Sequence, residues 1–176
     1  NGALVTQLGT KVDPNKDHVK VNGKLLSATA PAPIYIVMNK PKRSITSTND
    51  PYGRMVVHGL LRGVTDRVFT VGRLDWDTEG VLLITNDGEL TNRLTHPRFE
   101  VPRVYRAKVR GIPEEKTLVR LSRGVMLEDG PSPRSEIRLR DTTGRNSWLY
   151  IELHEGRNRI VRRMCQAVGH PVMKLT

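Results

Sequence analysis

Three acids fall within five positions at Asp75, Asp77 and Glu79, inside the segment VGRLDWDTEG from Val71 to Gly80. Carboxylates so placed can bind calcium, move protons, attack an electrophilic carbon or cap a turn. A calcium loop opening at Asp75 needs a bidentate Glu at its twelfth position between two helices, and that position is Asn86 between strand-like flanks. Calcium is therefore disfavoured. A glycosidase pair is also a poor match, because acids this close in sequence suit a turn better than two groups flanking a sugar. A turn capped through Thr78 and Gly80 competes with chemistry at one of the acids.

The second constellation is EGRNRIVRRM, Glu155 to Met164, with Arg157, Arg159, Arg162 and Arg163. Winding it as a helix at about 100° per residue puts Arg162 beside the apolar stripe on its Cys165 edge and Arg163 on the opposite flank. Such a cluster is either a solvated basic face or a phosphate-binding one. Charge balance favours phosphate: 29 Lys and Arg against 18 acids give +11 and a pI near 10.3. Nucleic acid is the leading partner class.

Other templates fail. The five histidines, His18, His58, His96, His154 and His170, lack metal-ligand spacing, and neither a GxGxxG nor a GxxxxGK[ST] motif is present. No metal and no cofactor are expected. The single Cys165 rules out an intrachain disulfide framework and fits a reducing, cytoplasmic compartment. No apolar run approaches the roughly 20 residues that span a bilayer, and the first residues lack the pattern of a signal peptide. The chain opens without Met in what reads as mid-strand, so a trimmed start is expected.

The elements that must position these groups follow from periodicity. With 176 residues, 37% of them hydrophobic, the chain can form one compact domain, or one domain plus a fragment of another. Residues 1–27 hold short Val/Leu strands broken by DPNKDH, and the ATAPAP of 28–33 reads as a linker. In the body, 34–38, 68–71 and 81–85 read as strands, the last apolar enough for burial on both faces. Asp87 is placed to cap a helix carrying Leu90 and Leu94. From Arg103 to Arg110, alternation sets Tyr105, Ala107 and Val109 on one face and Arg106 and Lys108 on the other.

Pro113 and Gly124 bracket a helix whose Leu118 and Leu121 face inward. Residues 135–140 and 148–153 form a hairpin around TTGRNS, and a last helix spans roughly 158–168, ended by Gly169. Strands and helices without regular βαβ alternation indicate an α+β fold. Charge is uneven along this chain. Residues 74–97 carry five acids and one base, whereas 39–73, 98–123 and 134–163 carry seven bases and two acids, eight and three, and eight and four. Acids facing RNA phosphates would weaken binding, so this acidic island is either turned away or used for chemistry.

Read together, GRLDWDTEGVLLITNDGELTNRLTHP, VPRVYRAKVRG, GVMLEDG and EGRNRIVRRMCQAVGHPVMKL resemble the bacterial ribosomal RNA pseudouridine synthases. The likeness is to the branch that holds the B-type enzymes of the large ribosomal subunit, together with the A-type enzymes of the small one. With NKP at 39–41 and DPYGR at 50–54, it covers 34–176. Residues 1–27 look like the C-terminal half of the alpha-L RNA-binding module that precedes this catalytic domain. The family usually continues past Leu175-Thr176 with a last strand, so a truncated C-terminal end is expected. At Arg159-Ile160 the chain departs from the His-Gln pair frequent in the family.

The resemblance implies a mixed, mainly antiparallel sheet flanked by helices, and a monomer that isomerises a uridine of ribosomal RNA, most specifically large-subunit 23S RNA, to pseudouridine without a cofactor. It makes Asp75 the nucleophile, Tyr105 the base and Arg162 the cation paired with Asp75, and it gives Arg73 the task of extracting the base from its stack. Lys40, Arg54, Arg157, Arg159 and Arg163 are then expected on the RNA-binding surface. The rival class, a non-catalytic RNA-binding or ribosome-assembly protein, accounts equally for the charge. It gives no reason for Asp75 between two strands with a matching Tyr and Arg downstream.

Overall fold

The computed structural model describes residues 2–13, 16–26 and 31–176. Contacts divide the chain between Pro33 and Ile34. The 28–33 linker falls partly, at 28–30, outside the described residues, as do the Pro14 and Asn15 of the DPNKDH turn. The first unit is a short hairpin, β1 (Lys20–Val21) against β2 (Lys24–Leu25), closed by Asn22 and Gly23. Its Leu4 and Leu8 are almost fully exposed, so it holds little core of its own.

The second unit contains two antiparallel sheets. In the first, β5 (Gly80–Thr85) lies between β3 (Tyr35–Lys40) and β4 (Phe69–Val71). Ile36, Met38, Leu82 and Ile84 turn to one face and pack with Val57, Val68 and Leu74. The expectation that 81–85 is buried on both faces is corrected: Val81 is 78% exposed, because only one side of this sheet is covered. Asp87 does cap α1 (Gly88–Thr95), accepting a hydrogen bond from the Leu90 amide at 2.9 Å.

The second sheet has strand order β11-β6-β10-β9. β6 (Arg103–Arg110), β9 (Glu136–Thr143), β10 (Asn146–Leu153) and β11 (Val172–Leu175) each pair antiparallel with their neighbours. α2 (Glu115–Arg123) and α3 (Ile160–Ala167) contribute Leu118, Leu121, Ile160, Val161, Met164 and Cys165 to the core on one face, against Ala107, Val109, Leu149, Ile151 and Leu153. Ten or so such side chains, each worth roughly 2 kcal/mol on burial, make this the larger stabilising cluster. Between α2 and β9 runs the small hairpin β7 (Met126–Leu127) and β8 (Gly130–Pro131). Gly124 ends α2 at φ 100°, where a Cβ would lie 2.6 Å from the Ser132 carbonyl oxygen. Any larger residue there collides with backbone.

The two sheets meet through the chain end. Glu79 donates its amide to the Leu175 carbonyl at 3.2 Å, and Arg106 and Thr176 exchange backbone hydrogen bonds at 2.8 and 3.0 Å. β11, which periodicity did not single out, thus ties the acidic loop to β6. Single parallel bridges such as Thr78 to Leu175 make the arrangement mixed, though every strand pair among the described residues is antiparallel. No helix among the described residues is long and apolar enough to cross a membrane.

Burial pushes the Cys165 thiol up to about 12. Its thiolate is the reactive form, so alkylation of native protein at pH 8 should be negligible over hours and complete within minutes in denaturant. Mass measurement after iodoacetamide treatment checks this, and rapid native labelling would show a loosely packed α3.

Candidate active site

A short acidic loop, residues 72–79, joins β4 to β5, and it is held from below by a buried ammonium. Lys40 at the end of β3 has no exposed surface and donates to the carbonyls of Thr78, Asp75 and Pro41 at 2.9, 3.0 and 3.2 Å. Burial lowers its pKa, while the charges of Asp75 and Asp77 work in the opposite direction. The Thr46 hydroxyl donates to the Leu74 carbonyl at 2.7 Å, and the Arg43 amide to that of Trp76 at 2.7 Å. The placing of Lys40 on the RNA-binding surface is therefore corrected. All three of its donors are spent on backbone carbonyls, two of them in the loop, and phosphate cannot reach it.

From above, α3 and the turn before it supply guanidinium groups. Arg162 donates to the Asp77 carbonyl at 3.2 Å and the Thr78 hydroxyl at 3.3 Å, and pairs with the Asp77 carboxylate at 3.1 Å. Arg159 reaches Asp77 at 3.3 Å and Asp75 at 3.6 Å. The cation on Asp75 is thus Arg159, with Arg162 one carboxylate further on. Arg159 adopts a left-handed backbone, φ 49°, just before the helix begins at Ile160. That conformation costs a non-glycine residue about 1–2 kcal/mol, and strain of this kind concentrates at functional sites. Lys174 of β11 meets Glu79 at 2.5 Å and lowers its pKa. Asp75, Asp77 and Glu79 of the acidic island are therefore each paired with a cation, whereas Glu89 stands exposed on α1 beside Arg93.

Asp75 lines a cavity of about 430 Å³, a size suited to a small ligand or a single nucleotide. Tyr105 and Arg103 of β6, Arg73, Arg159 and Asn158 line it as well. Tyr105 projects from the helix-facing side of β6, as its alternation requires, and is half-buried. Burial raises its pKa most, Arg103 opposes this, and the Asp75 charge adds to the rise, so it is a neutral phenol at physiological pH. Arg73 is exposed at the rim.

Arg103, which motif spacing did not mark as a site residue, donates to the Thr95 carbonyl at 3.3 Å. It crosses close over Gly156, where a Cβ would lie 3.1 Å from its Nη1 atom. The bare backbone at Gly156 gives this guanidinium its room. Arg157 and Arg163 both converge on Asp129, at 3.3 and 2.8 Å, and Arg157 also pairs with Glu155 at 2.7 Å. Arg54 sits apart from the cavity, paired with Asp50 at 2.6 Å and holding that acid down to about 2. None of the four arginines of the α3 motif lacks a carboxylate partner.

A carboxylate and a phenol facing one cavity, under a roof of guanidinium groups, define an enzyme site for an anionic substrate. A family model described as RNA pseudouridylate synthase matches residues 34–167. The chain is 43% identical over 177 residues to ribosomal large subunit pseudouridine synthase B of Bacillus subtilis, covering 99% of this chain and 71% of that protein. It is 44% identical to an uncharacterized RNA pseudouridine synthase of Aquifex aeolicus, covering 99% and 70%. A crystal structure of a pseudouridylate synthase superposes with a TM-score of 0.76 at 25% identity, over 99% of this chain and 74% of that one. The chain belongs to the RNA pseudouridine synthase family, whose catalytic fold its sheets and helices reproduce.

Lys40→Met should destabilise the protein by about 3 kcal/mol, since three carbonyls, that of Thr78 fully buried, lose their donors together. The salt dependence of RNA binding should not change. Urea unfolding and salt-titrated binding check both, and wild-type stability with a reduced salt slope would return Lys40 to the RNA surface.

Proposed function

We propose that this chain isomerises a uridine of large-subunit ribosomal RNA to pseudouridine. The observation that carries the reading is Asp75, a partly exposed carboxylate held in a nucleotide-sized cavity with Arg159 on one side and the Tyr105 phenol lining the same space. The likeness to large-subunit enzymes supports the choice of RNA. In the reaction the bond between ribose carbon 1′ and uracil nitrogen 1 breaks, the base rotates, and carbon 5 bonds to carbon 1′. The carbon 5 proton leaves and nitrogen 1 takes one up, so nothing is consumed.

Each group has a task with a physical basis. Asp75 is the nucleophile, and its carboxylate is aimed because a guanidinium lies beside it while its own carbonyl is pinned by Lys40. Tyr105 relays the carbon 5 proton. A neutral phenol in a half-buried wall does this only when the base has rotated to present carbon 5, which orders the steps. Arg162 is a positioning residue that fixes Asp77 and Thr78. Arg73 at the rim holds open the stack from which the uridine leaves.

Because Arg157 and Arg163 share Asp129, RNA phosphates must compete with that carboxylate for them. We read the enzyme as a cytoplasmic monomer working without metal or cofactor, and residues 1–27 as part of an RNA-binding module that adds placement on the substrate.

Asp75→Asn should abolish tritium release from carbon 5 of labelled uridine in ribosomal RNA while leaving RNA affinity within about twofold. Residual turnover near wild type would sink the assignment. Tyr105→Phe should lower the single-turnover rate by about 100-fold or more without weakening binding. Arg162→Met should reduce kcat at least tenfold more than Arg163→Met, as loss of transition-state geometry exceeds loss of one phosphate contact. Equal losses that track only affinity would make α3 a phosphate-binding face.

A further inference from the structure

The strand that carries Tyr105 has a second face. Arg106, Lys108 and Arg110 of β6 point away from the helices, and the register sets them beside Trp148 and Tyr150 of β10 and Arg138 of β9. All of these side chains are exposed or half-buried. Acids share the face too. Glu136 and Glu152 lie at its Val104 end, with Glu136 paired to Arg138, and Asp141 lies across from Trp148. Lys174 is opposite Lys108 but is engaged by Glu79. Among the described residues, Arg106, Lys108 and Arg110 make no ion pair.

Two of these cations are held by a ring. The Arg106 guanidinium lies 4.5 Å from the centre of the Trp148 indole, and the Lys108 ammonium 6.0 Å from it. Such contacts restrict long side chains while leaving their charge exposed, which reduces the ordering cost of binding an anion. Alternate residues on one strand face are about 6.7 Å apart, so the three charges form a line of about 13 Å. A line of fixed positive charges suits an anion that repeats along a line. Because the cations crowd the Trp148 ring, phosphates rather than unstacked bases are the better-fitting groups.

We propose that the outward face of the four-stranded sheet is a second RNA-binding surface. It holds backbone phosphates of a double-helical segment of the substrate RNA, on the opposite side of β6 from the catalytic cavity. The choice of RNA as partner rests on the function proposed above; the surface itself rests on charge, register and ring contacts. Phosphate contacts of this kind add affinity and orientation without reading sequence. They would let the enzyme grip a large folded RNA at two places while one uridine enters the cavity.

The test uses a fluorescein-labelled RNA duplex of about 16 base pairs, made only of G·C pairs so that it contains no uridine. The double variant Lys108→Glu, Arg110→Glu should weaken duplex binding at least tenfold at about 0.1 M salt. The milder Lys108→Gln, Arg110→Gln pair, with an unchanged thermal midpoint, should lower the slope of log affinity against log salt by about 2. Lys116→Glu, which reverses an exposed charge on α2, should change affinity less than about twofold. In Trp76→Phe protein, Trp148 is the sole tryptophan, and its emission should shift on saturation with duplex.

An unchanged salt slope in both double variants, or silent Trp148 emission, would overturn the proposal. So would a loss of polyglutamate binding in the variants with duplex binding intact, which would assign the face to an acidic protein. Tritium release by the unaltered chain reports separately on the catalytic reading. Its absence would remove that reading, while a duplex affinity that still falls in the variants would support the surface.

Discussion

One buried ammonium organises the catalytic half of this molecule. Three carbonyls from Pro41, Asp75 and Thr78 converge on Lys40, whose side chain has no exposed surface. Burying a lysine is costly unless every N–H is used, and here three donors meet three acceptors. The consequence is geometric. The turn through Asp75 and Thr78 is fixed to the end of β3, so the direction of the Asp75 side chain is set by backbone rather than by a flexible loop. The same positive charge interacts with the carboxylates of Asp75 and Asp77, which would otherwise repel one another within a single turn.

The remaining cations sort by what faces them. Arg159 and Arg162 complete the acidic loop from above, Lys174 does so from β11, and Arg157 and Arg163 share Asp129. Five of the chain's 29 basic residues are thus spent on its own carboxylates. Its outward charge lies elsewhere, including on β6. Strand alternation lets one segment serve both ends: Tyr105 enters the cavity, and its neighbour Arg106 stands on the opposite face of the sheet. The chain end reinforces this division, because Thr176 bonds to Arg106 while Leu175 bonds to Glu79, which joins the two sheets across the site.

Much of this was legible in the sequence where the signal is local. Alternation over 103–110 placed Tyr105 inward, Pro113 and Gly124 bracketed α2, and Asp87 marked the start of α1. The match of GRLD with the downstream Tyr pointed to Asp75 and Tyr105, which line one cavity, whereas the matching Arg162 stands outside that lining and meets Asp77. What failed depends on partners distant in the chain. Lys40 reads as a surface residue because lysines mostly are, and its acceptors lie up to 38 positions away. Helical winding put Arg162 toward the buried edge, but it could not tell Asp75 from Asp77 as its partner. Arg159, expected on the RNA-binding surface, instead pairs with Asp75 and Asp77, and its left-handed backbone lies outside the helix that the winding assumed. The exposure of Val81 follows from a sheet covered on one side only, which a short apolar run does not reveal.

If the backbone of the Asp75 loop clamps the Lys40 ammonium, nitrogen-15 NMR of the lysine side chains will register it. Lys40 should give a resolved, slowly exchanging signal at neutral pH, with hydrogen-bond couplings to the carbonyl carbons of Pro41, Asp75 and Thr78. On titration it should lose its proton below the ordinary lysine value of 10.5, as burial requires. A signal averaged with the exposed lysines, or deprotonation at or above that value, would mean that the loop is held by something other than this ammonium.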